Sequence, residues 1–476
     1  MTVRTRIAPS PTGEMHVGGL SIALKNYALA KKHGGQFIIR IEDTDQAREV
    51  EGATQRILDV LQKYGLDWDE GPNKEGAYGP YIQSQRLELY KKAAQQLIDK
   101  KLAYYCFCSK ERLEKVRAEQ MAKHLPPKYD RHCRNLSDDQ IRQKLESNEP
   151  SVIRLTVPDD KPILFTDLIR GQIEISSNEV DDQVLLKSDG FPTYHLAVVV
   201  DDHAMKISHI LRGEEWISST PKHVLLYEAF GWPQPVYAHI PIFLNPDGKG
   251  KMSKRHGTVS AQSFLDKGYL PEAMLNFFMI LGWSPADQSE VISLKEYVQE
   301  FDPQDISKNS VVFDLKKLDW INGLYIRTLS PENLREKITP FIPADCPKEI
   351  VEKVLPLIFE RLVKLADFEE LTSFFYRDIQ VDMNVVKKKV EAEVLMEQVT
   401  QTLMSLQELS TWDVPSIEAS LRALQEKQNW KKSQYFMMLR VSLTGKEATP
   451  PLFETMEVIG KQKTVERLQS ILSQLS

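Results

Sequence analysis

Apolar and polar residues follow regular periods over the first forty positions of the chain. Val3 to Ile7 fits a short strand, and apolar residues at spacings of three and four predict a helix from about Val17 to Lys32. Gly34-Gly35 ends that helix, and Phe37 to Ile41 is a short β-branched run that predicts a buried strand. A strand, a loop, a helix and a second strand favour a parallel α/β sheet.

The middle of the chain is less regular. Residues from about Leu87 to Glu146 are rich in Lys, Glu, Gln and Arg, which predicts mostly exposed helices. Strand-like runs then return at Ser151 to Val157, Gly171 to Ser176, Asp182 to Leu186 and Leu196 to Val200, the last ending in Asp201-Asp202-His203. We interpret this region as a large insertion in an α/β domain whose sheet then resumes.

The last third has few strand signals. From about Ser330 the pattern is helical, with breaks at 340–347 and 450–451. This pattern predicts a separate helical region of two small bundles.

Composition excludes some classes of protein. The chain has 476 residues, a net charge of −6 and a hydrophobic content of 42%, which is ordinary for a globular protein and argues against a general basic coat for non-specific DNA binding. Met1 to Pro9 has no apolar signal-peptide core, and no apolar run approaches the length of a membrane span. Four cysteines do not suggest a disulfide framework, so we expect a reduced, cytoplasmic protein.

The first candidate site is the loop between the first strand and the first helix, Pro9-Ser10-Pro11-Thr12-Gly13-Glu14-Met15-His16-Val17-Gly18-Gly19. Ligands of open parallel sheets bind beyond the carboxyl ends of strands, and backbone N–H groups at a helix start favour phosphate. Gly18 and Gly19 let a nucleotide approach the backbone, and His16 can donate a hydrogen bond to a phosphate oxygen. The alternative is a Pro/Gly turn with an incidental histidine.

The second candidate site is Lys251-Met252-Ser253-Lys254-Arg255, which follows the turn-forming run at 245–250. Its cations suit a clamp that stabilises negative charge as pyrophosphate leaves. The alternative is a solvated basic loop.

Together, the two motifs, about 235 residues apart, resemble the paired signatures of class I aminoacyl-tRNA synthetases. Longer strings resemble the glutamyl-tRNA synthetase family: Arg4 to Gly13, Arg40 to Asp45, Leu186 to Ala197, Leu211 to Trp216, Asp314 to Leu318 and Asn322 to Arg327. The last third resembles the bacterial family's anticodon-binding region in length and helical character.

The resemblance implies ATP-dependent joining of L-glutamate to the 3′ end of tRNA-Glu, with Mg²⁺, by a monomer that needs no membrane. The implied fold is α/β, a Rossmann-type parallel-sheet catalytic domain with an inserted acceptor-stem domain, followed by an all-helical anticodon-binding region. The expected boundaries are 1–85 and 195–232 for the two halves of the catalytic domain, 86–194 for the insertion, 233–329 for a stem-contact domain carrying Lys251 to Arg255, and 330–476 for the helical region.

The resemblance also assigns residues to the two small substrates. Glutamate is expected to contact Arg6, Ala8, Ser10, Glu42, Tyr194 and Arg212, with Arg6 on the γ-carboxylate and Glu42 on the ammonium. Val198 stands where some members have Asn. ATP is expected to contact Pro9, Ser10, His16, Gly18, Gly19, Glu215, Trp216, Lys251, Met252, Ser253, Lys254 and Arg255. The residues expected to act in catalysis are His16, Gly18, Lys251 and Lys254, with Lys254 the chief pyrophosphate contact.

Three cysteines lie close together in the insertion. Cys106 and Cys108 are separated by one residue, and Cys133 follows after 24 more, a spacing of soft ligands compatible with zinc. A related knuckle binds zinc in this family, in some members through a His where this chain has Asn135, and Tyr129 matches a Tyr-x-x-x-Cys variant. The alternative is a set of free cysteines.

Arg361 lies in a stretch from Ile358 to Tyr376 that we predict to be helical. The resemblance places it where discriminating members hold an Arg against the third anticodon base, which is C in tRNA-Glu and G in tRNA-Gln. The alternative is a surface Arg in an i,i+4 pair.

Several other functions were weighed. The enzyme could also charge tRNA-Gln, or the chain could be a non-catalytic tRNA-binding paralogue, although Arg6, His16, Glu42 and Lys254 are all present. Relatives that glutamylate a modified tRNA base lack an anticodon-binding region, whereas this chain continues for about 150 residues after Arg327. A glutaminyl enzyme is disfavoured by the Ser-Pro-Thr-Gly string and by Tyr194-His195.

Overall fold

The computed structural model describes residues 2–252, 260–387 and 392–475. This part of the chain divides into two compact units. The first comprises Met1–Phe264 and Pro271–Leu315, and the second comprises Leu265–Leu270 and Lys316–Ser476.

The strands belong to the first unit. They are β1 Arg4–Ile7, β2 Gln36–Ile39, β3 Ala103–Cys106, β4 Val152–Leu155, β5 Pro162–Asp167, β6 Gly171–Ser176, β7 Val184–Leu186, β8 His209–Gly213, β9 Val236–Ile240, β10 Phe243–Leu244 and β11 Val311–Val312. β1 and β2 pair in parallel, and a four-stranded sheet has the order β6-β5-β9-β8, in which β5-β9 and β8-β9 are parallel. The Ser208 amide, just before β8, donates to the Arg4 carbonyl over 3.0 Å and so sets β8 beside β1. The predicted parallel α/β sheet is therefore confirmed.

Helices occur in both units, and the second unit is built mainly from them. Those up to residue 300 are α1 Val17–Lys32, α2 Ala53–Lys63, α3 Leu87–Asp99, α4 Lys110–Ala122, α5 Asp138–Glu146, α6 Tyr194–Ala204, α7 Thr220–Phe230, α8 Ala261–Asp266, α9 Pro271–Ile280 and α10 Leu294–Glu300. The later ones are α11 Leu315–Arg327, α12 Pro331–Ile338, α13 Lys348–Ile358, α14 Asp367–Tyr376, α15 Met383–Lys387, α16 Ala392–Gln407, α17 Val414–Lys427, α18 Lys432–Thr444, α19 Leu452–Ile459 and α20 Lys461–Leu475. Among the described residues, no helix is long and apolar enough to cross a membrane.

Helix α1 has the predicted bounds and links the sheet to the first candidate site. Its apolar side packs on β1 and β2, so Val17, Leu20 and Leu24 are completely buried. The His16 side chain caps the helix by accepting from the Gly18 amide. Gly34 follows with a φ of +58°, in the left-handed region where glycine carries no Cβ penalty.

The run from Leu196 to Val200 was predicted as a strand, and that prediction is wrong. It lies in helix α6, where every residue from Leu196 to Asp202 is buried. A short apolar run that is buried on all sides has no period that separates strand from helix. The helix packs against α3 and α7. As a result, Asp201 and Asp202 lie within a buried helix, where their carboxylates require partners.

The predicted insertion contains its own three-stranded sheet, β3-β4-β7. Helices α4 and α5 have no buried residues, in agreement with their predicted exposure, but α3 in the same predicted stretch buries Tyr90, Ala93, Ala94 and Leu97. β5 and β6, which also fall within 86–194, instead join the sheet that contains β8 and β9. Residues 86–194 therefore contribute strands to the three-stranded sheet β3-β4-β7 and to the four-stranded sheet β6-β5-β9-β8.

The second unit is built from helices throughout its described residues, as predicted for the end of the chain. The single helical stretch predicted from Ile358 to Tyr376 is wrong, however. Helix α13 ends at Ile358, a short 3₁₀ turn covers Phe359–Arg361, and α14 begins only at Asp367. Leu362 and Leu365 are buried and three residues apart, which is the spacing of a helix, although the backbone between them is not helical. This spacing explains why the sequence pattern predicted one continuous helix.

Candidate active site

A cluster of buried charges lies at the ends of β1 and β2. Arg6 Nε donates to Asp202 Oδ1 over 3.1 Å, and Arg40 Nη1 donates to the same oxygen over 2.6 Å. Arg40 Nη2 also donates to Glu42 Oε1 over 3.0 Å. Two arginines and two carboxylates thus form one connected set, in which each cation has an anionic partner.

The environment decides how the two carboxylates ionise. Burial raises the pKa of Glu42, and the charge and hydrogen bond of Arg40 oppose that rise only in part. Burial would also raise the pKa of Asp202, but Arg6 and Arg40 together lower it below its usual value. Asp202 is therefore the firmly ionised anion of this set.

Arg212, at the end of β8, has a different set of partners. Its Nε donates to His239 Nε2 over 3.1 Å, its Nη1 faces His223 Nδ1 at 3.2 Å, and its Nη2 donates to Thr220 Oγ1 over 2.7 Å. Weaker hydrogen bonds reach the Tyr194 hydroxyl and the Trp216 carbonyl. Arg212 is only 5% exposed, yet it forms no ion pair in the part of the chain that the structure describes. A buried cation without an anion is costly, which makes this position a natural anchor for a ligand carboxylate.

Tyr194 connects the two groups of arginines. Its ring packs on that of Trp216 with centroids 4.4 Å apart. Burial raises the pKa of its hydroxyl, and the charges of Arg212, Glu42 and Arg6 all act on it. The structure thus brings four of the predicted glutamate contacts into one electrostatic neighbourhood. Ala8 is half-buried and Ser10 is exposed in the loop that follows β1, and Val198 is buried within α6.

A cavity of about 330 Å³ lies next to this cluster. Its lining includes His16, Gly18 and Gly19 from the start of α1 and Gly213, Glu215, Lys251 and Met252 from the strand ends opposite. Gly213 directly follows Arg212 in the chain, but Arg6, Glu42, Tyr194 and Arg212 do not line this cavity themselves. Its position beyond the carboxyl ends of parallel strands and at a helix N-terminus suits a phosphorylated ligand.

His16 is oriented by its own helix. Its Nδ1 accepts a hydrogen bond from the Gly18 amide over 3.0 Å, so the neutral ring carries its proton on Nε2. A Cβ on residue 18 would lie 3.3 Å from that Nδ1, which is a tight contact. Gly18 therefore donates the hydrogen bond of the helix cap and also lines the cavity.

On the opposite wall, Lys251 Nζ lies 2.9 Å from Glu215 Oε1. A Cβ at Gly213 would lie against the Glu215 carboxylate and would displace that exposed side chain from its present position. Pro9, Ser10 and Trp216, also predicted to contact ATP, do not line this cavity, and the Pro9 carbonyl on the loop after β1 accepts from the Glu42 amide over 3.0 Å. Ser253, Lys254 and Arg255 lie outside the described residues.

Five residues of this cluster were not predicted from the sequence: Arg40, Asp202, Thr220, His223 and His239. Asp202 follows the run from Leu196 to Val200, and because that run was predicted as a strand, the position of Asp202 on a buried helix was not foreseen. Arg40 belongs to the family-like segment Arg40 to Asp45, but no function was predicted for it. No local pattern marks the other three, because His239 meets Arg212 across the register of β8 and β9, while Thr220 and His223 approach from α7.

The three clustered cysteines form a second candidate site. The sulfur atoms of Cys106, Cys108 and Cys133 lie within 4.8 Å of one another. The Tyr129 hydroxyl is 3.3 Å from the sulfur of Cys106 and 3.4 Å from that of Cys108. Three sulfurs and one phenolic oxygen are thus brought together, as a tetrahedral zinc site requires.

Two arginines flank the cysteine cluster. Arg112 Nη1 lies 3.5 Å from the Cys108 sulfur, and the Arg154 guanidinium lies 3.9 Å from the centroid of the Tyr129 ring. Hydrogen bonds from Cys133 and Tyr129 lower the pKa of the Cys106 thiol to about 4, against the opposing effect of burial. The same contacts raise the pKa of the Cys133 thiol, and burial together with these contacts raises the pKa of the Tyr129 hydroxyl, so the cluster favours one thiolate on Cys106.

Comparison with known proteins matches both regions of the chain. Residues 2–320 match the catalytic domain of class I tRNA synthetases (E and Q), and residues 333–472 match an anticodon binding domain. Glutamate–tRNA ligase of Dehalococcoides mccartyi strain CBDB1 is 46% identical, covering 100% of this chain and 98% of its own length. The chain belongs to the glutamate–tRNA ligase family. The glutamate–tRNA ligase of Acidothermus cellulolyticus is 44% identical over 98% of this chain and 95% of its own length.

A solved structure agrees with this membership. The glutamate–tRNA ligase from Elizabethkingia meningosepticum, crystallised in complex with its amino acid, aligns over 100% of both chains with a TM-score of 0.87 and 36% identity. The fold class predicted from the sequence is therefore confirmed.

Arg361 lies in the second unit, in the turn that separates α13 from α14. Its side chain is exposed, and its charge lowers the pKa of Arg440 on α18, in addition to the larger effect of burial. The 3₁₀ turn at Phe359–Arg361 thus places this residue outside both α13 and α14.

Proposed function

We propose that this protein activates L-glutamate with ATP and transfers it to the 3′ end of tRNA-Glu. In the first step, an α-carboxylate oxygen of glutamate attacks the α-phosphorus of ATP, and the bond to the departing pyrophosphate breaks. In the second step, a ribose hydroxyl of the terminal adenosine attacks the carbonyl of the adenylate and releases AMP. The protein contributes position and charge, and no covalent enzyme intermediate is needed.

The observation that carries the proposal is the buried guanidinium of Arg212, which forms no ion pair with any described residue and directly precedes Gly213 of the cavity lining. Arg6 was expected to hold the γ-carboxylate, but its guanidinium already pairs with Asp202. We therefore assign the γ-carboxylate chiefly to Arg212, with Tyr194 beside it and Arg6 in a supporting position. Glu42 is the partner for the ammonium, since Arg40 holds only one of its oxygens.

ATP occupies the cavity at the start of α1. His16 Nε2 and the backbone N–H groups of Gly18 and Gly19 donate to phosphate oxygens, and Glu215 and Trp216 lie beside the adenosine. Lys251 leaves its ion pair with Glu215 and binds the departing pyrophosphate. Lys254 binds the same pyrophosphate. Mg²⁺ accompanies the nucleotide.

Zinc is held by Cys106, Cys108, Cys133 and Tyr129. The ion supplies a structural crosslink and takes no part in the reaction. His132 and Asn135 are exposed, so neither replaces Tyr129 as the fourth ligand. The crosslink joins the end of β3 to the segment after α4, which stabilises an exposed part of the insertion that faces the acceptor end of tRNA.

The protein acts in the cytoplasm as a monomer, and Arg361 restricts it to tRNA-Glu. The test is a charging assay with radiolabelled glutamate against purified tRNA-Glu and tRNA-Gln, run in parallel with glutamine. Charging of tRNA-Glu with glutamate alone is the expected result. Absence of charging on both tRNAs by folded protein would support the non-catalytic paralogue, and equal charging of both would support the relaxed enzyme.

A further inference from the structure

The partners of Arg212 differ in kind from those of the other arginines in this region. Arg4 pairs with Glu70, Arg6 and Arg40 pair with Asp202, and Arg86 pairs with Asp201. Arg212 instead contacts the neutral acceptors, defined here as Thr220, His223 and His239. Hydrogen bonds from a guanidinium to neutral atoms fix its orientation without cancelling its charge.

Each of the two histidines is oriented by a further residue. His239 Nδ1 lies 2.7 Å from Asp167 Oδ2, so it carries the proton and leaves the Nε2 lone pair for Arg212. His223 Nε2 lies 3.1 Å from His195 Nδ1, so His223 donates outward and turns its Nδ1 lone pair toward Arg212. An imidazolium could not accept from Arg212, so both rings are neutral in this arrangement.

Burial keeps the histidines in that state. It lowers the pKa of His223 well below the ordinary value, and it lowers the pKa of His195 to about 3. The pKa of His239 is also lowered, chiefly by burial and in spite of Asp167. The negative charge of Asp167 stays one imidazole ring away from the guanidinium.

We propose that His223 and His239 are positioning residues that keep the charge of Arg212 available, and that this makes the pocket select a carboxylate over a carboxamide. The proposal rests on glutamate being the substrate of this site. A carboxylate ligand supplies the missing counter-charge, whereas the amide of glutamine leaves the buried cation unpaired.

The test replaces a neutral acceptor with an anion of similar reach. His223→Glu supplies a permanent partner for Arg212, and His223→Gln keeps a neutral acceptor and donor. We expect His223→Glu to raise the KM for glutamate by about ten- to hundredfold, the scale of one charge-assisted hydrogen bond, with the KM for ATP near the wild-type value. The melting temperature should stay level or rise, because the new ion pair satisfies a buried charge. His223→Gln should restore both the KM and the discrimination against glutamine.

Assays use the full-length protein with tRNA-Glu present, and Gln234→Glu at an exposed position controls for the added negative charge. If His223→Gln loses as much glutamate affinity as His223→Glu, or if affinity and melting temperature fall together in both, His223 is merely structural and the proposal fails. An unchanged KM for glutamate in folded His223→Glu overturns it as well. Failure of the wild type to charge glutamate would instead reject the proposed function, and the wild-type arm reports that separately.

Discussion

The side chains of Arg6 and Asp202 meet across 196 positions of sequence, with Arg6 Nε donating to Asp202 Oδ1 over 3.1 Å. Both are almost fully buried, and Arg40 donates to the same carboxylate. Asp202 is therefore the shared anion that lets two arginines lie buried side by side.

Asp202→Asn should destabilise the first unit strongly. The substitution keeps the shape but leaves two buried cations short of one negative charge, a change that costs on the order of 3–5 kcal/mol. Thermal melting should show the loss, and exposed Asp189→Asn is the matched control. Because the pKa of Asp202 is lowered, its stabilisation exists above the unfolded pKa of about 3.9 and is lost as pH falls through the folded value, so the two melting curves should converge in acid. Equal melting of the variant and the wild type at neutral pH would contradict this account.

Lys254→Ala should slow adenylate formation by roughly a hundredfold or more. Removal of one preorganised charge at a developing anion costs about 3 kcal/mol. ATP–pyrophosphate exchange measures the step, and Lys249→Ala in the same basic stretch is the control. Near wild-type exchange in Lys254→Ala would remove this residue from the ATP clamp.

Glutamate activation should depend on bound tRNA. The family resemblance motivates this expectation, and induced fit, in which tRNA binding completes the site, is the physical reason. Exchange should be weak with glutamate and ATP alone and strong once tRNA-Glu is added. Robust exchange without tRNA would show that the site is complete in the free protein.

The cysteine cluster should bind about one zinc ion per chain. Cys106→Ser should lose the metal, while Cys346→Ser, at a cysteine outside the cluster, should keep it. Tyr129→Phe removes only the phenolic oxygen and should weaken zinc binding while leaving three thiolates. Elemental analysis of protein purified without chelator measures all three. Metal-free, fully active wild-type protein would favour ordinary free cysteines.

Arg361→Gln should relax the choice of tRNA. One well-placed contact to a base edge discriminates by about 1–3 kcal/mol, a scale taken from base readout in DNA. Charging of tRNA-Glu and tRNA-Gln by both proteins gives the ratio, with Arg335→Gln in the same unit as control. An unchanged ratio, or free charging of tRNA-Gln by the wild type, would assign the discrimination elsewhere.

Local patterns predicted well where local physics decides the structure. Helix α1 has the predicted bounds because its apolar spacing, its cap at His16 and the glycines after it all lie within twenty residues. The motif from His16 to Gly19 lies at the cavity for the same reason. The helical prediction for Ile358 to Tyr376 failed because its apolar spacing continued through a turn.

The sequence by itself determined the family and the order of strands and helices in the first sheet, since long ordered strings and short-range periods carry that information. Only the tertiary structure decided how the charges are shared. Asp202 pairs with Arg6 and Arg40, whereas Arg212 meets only neutral acceptors among the described residues, because strand register and the packing of α6 and α7 bring these side chains together. Pairing between residues so distant in sequence leaves no local pattern, yet it decides which buried cation has an anionic partner.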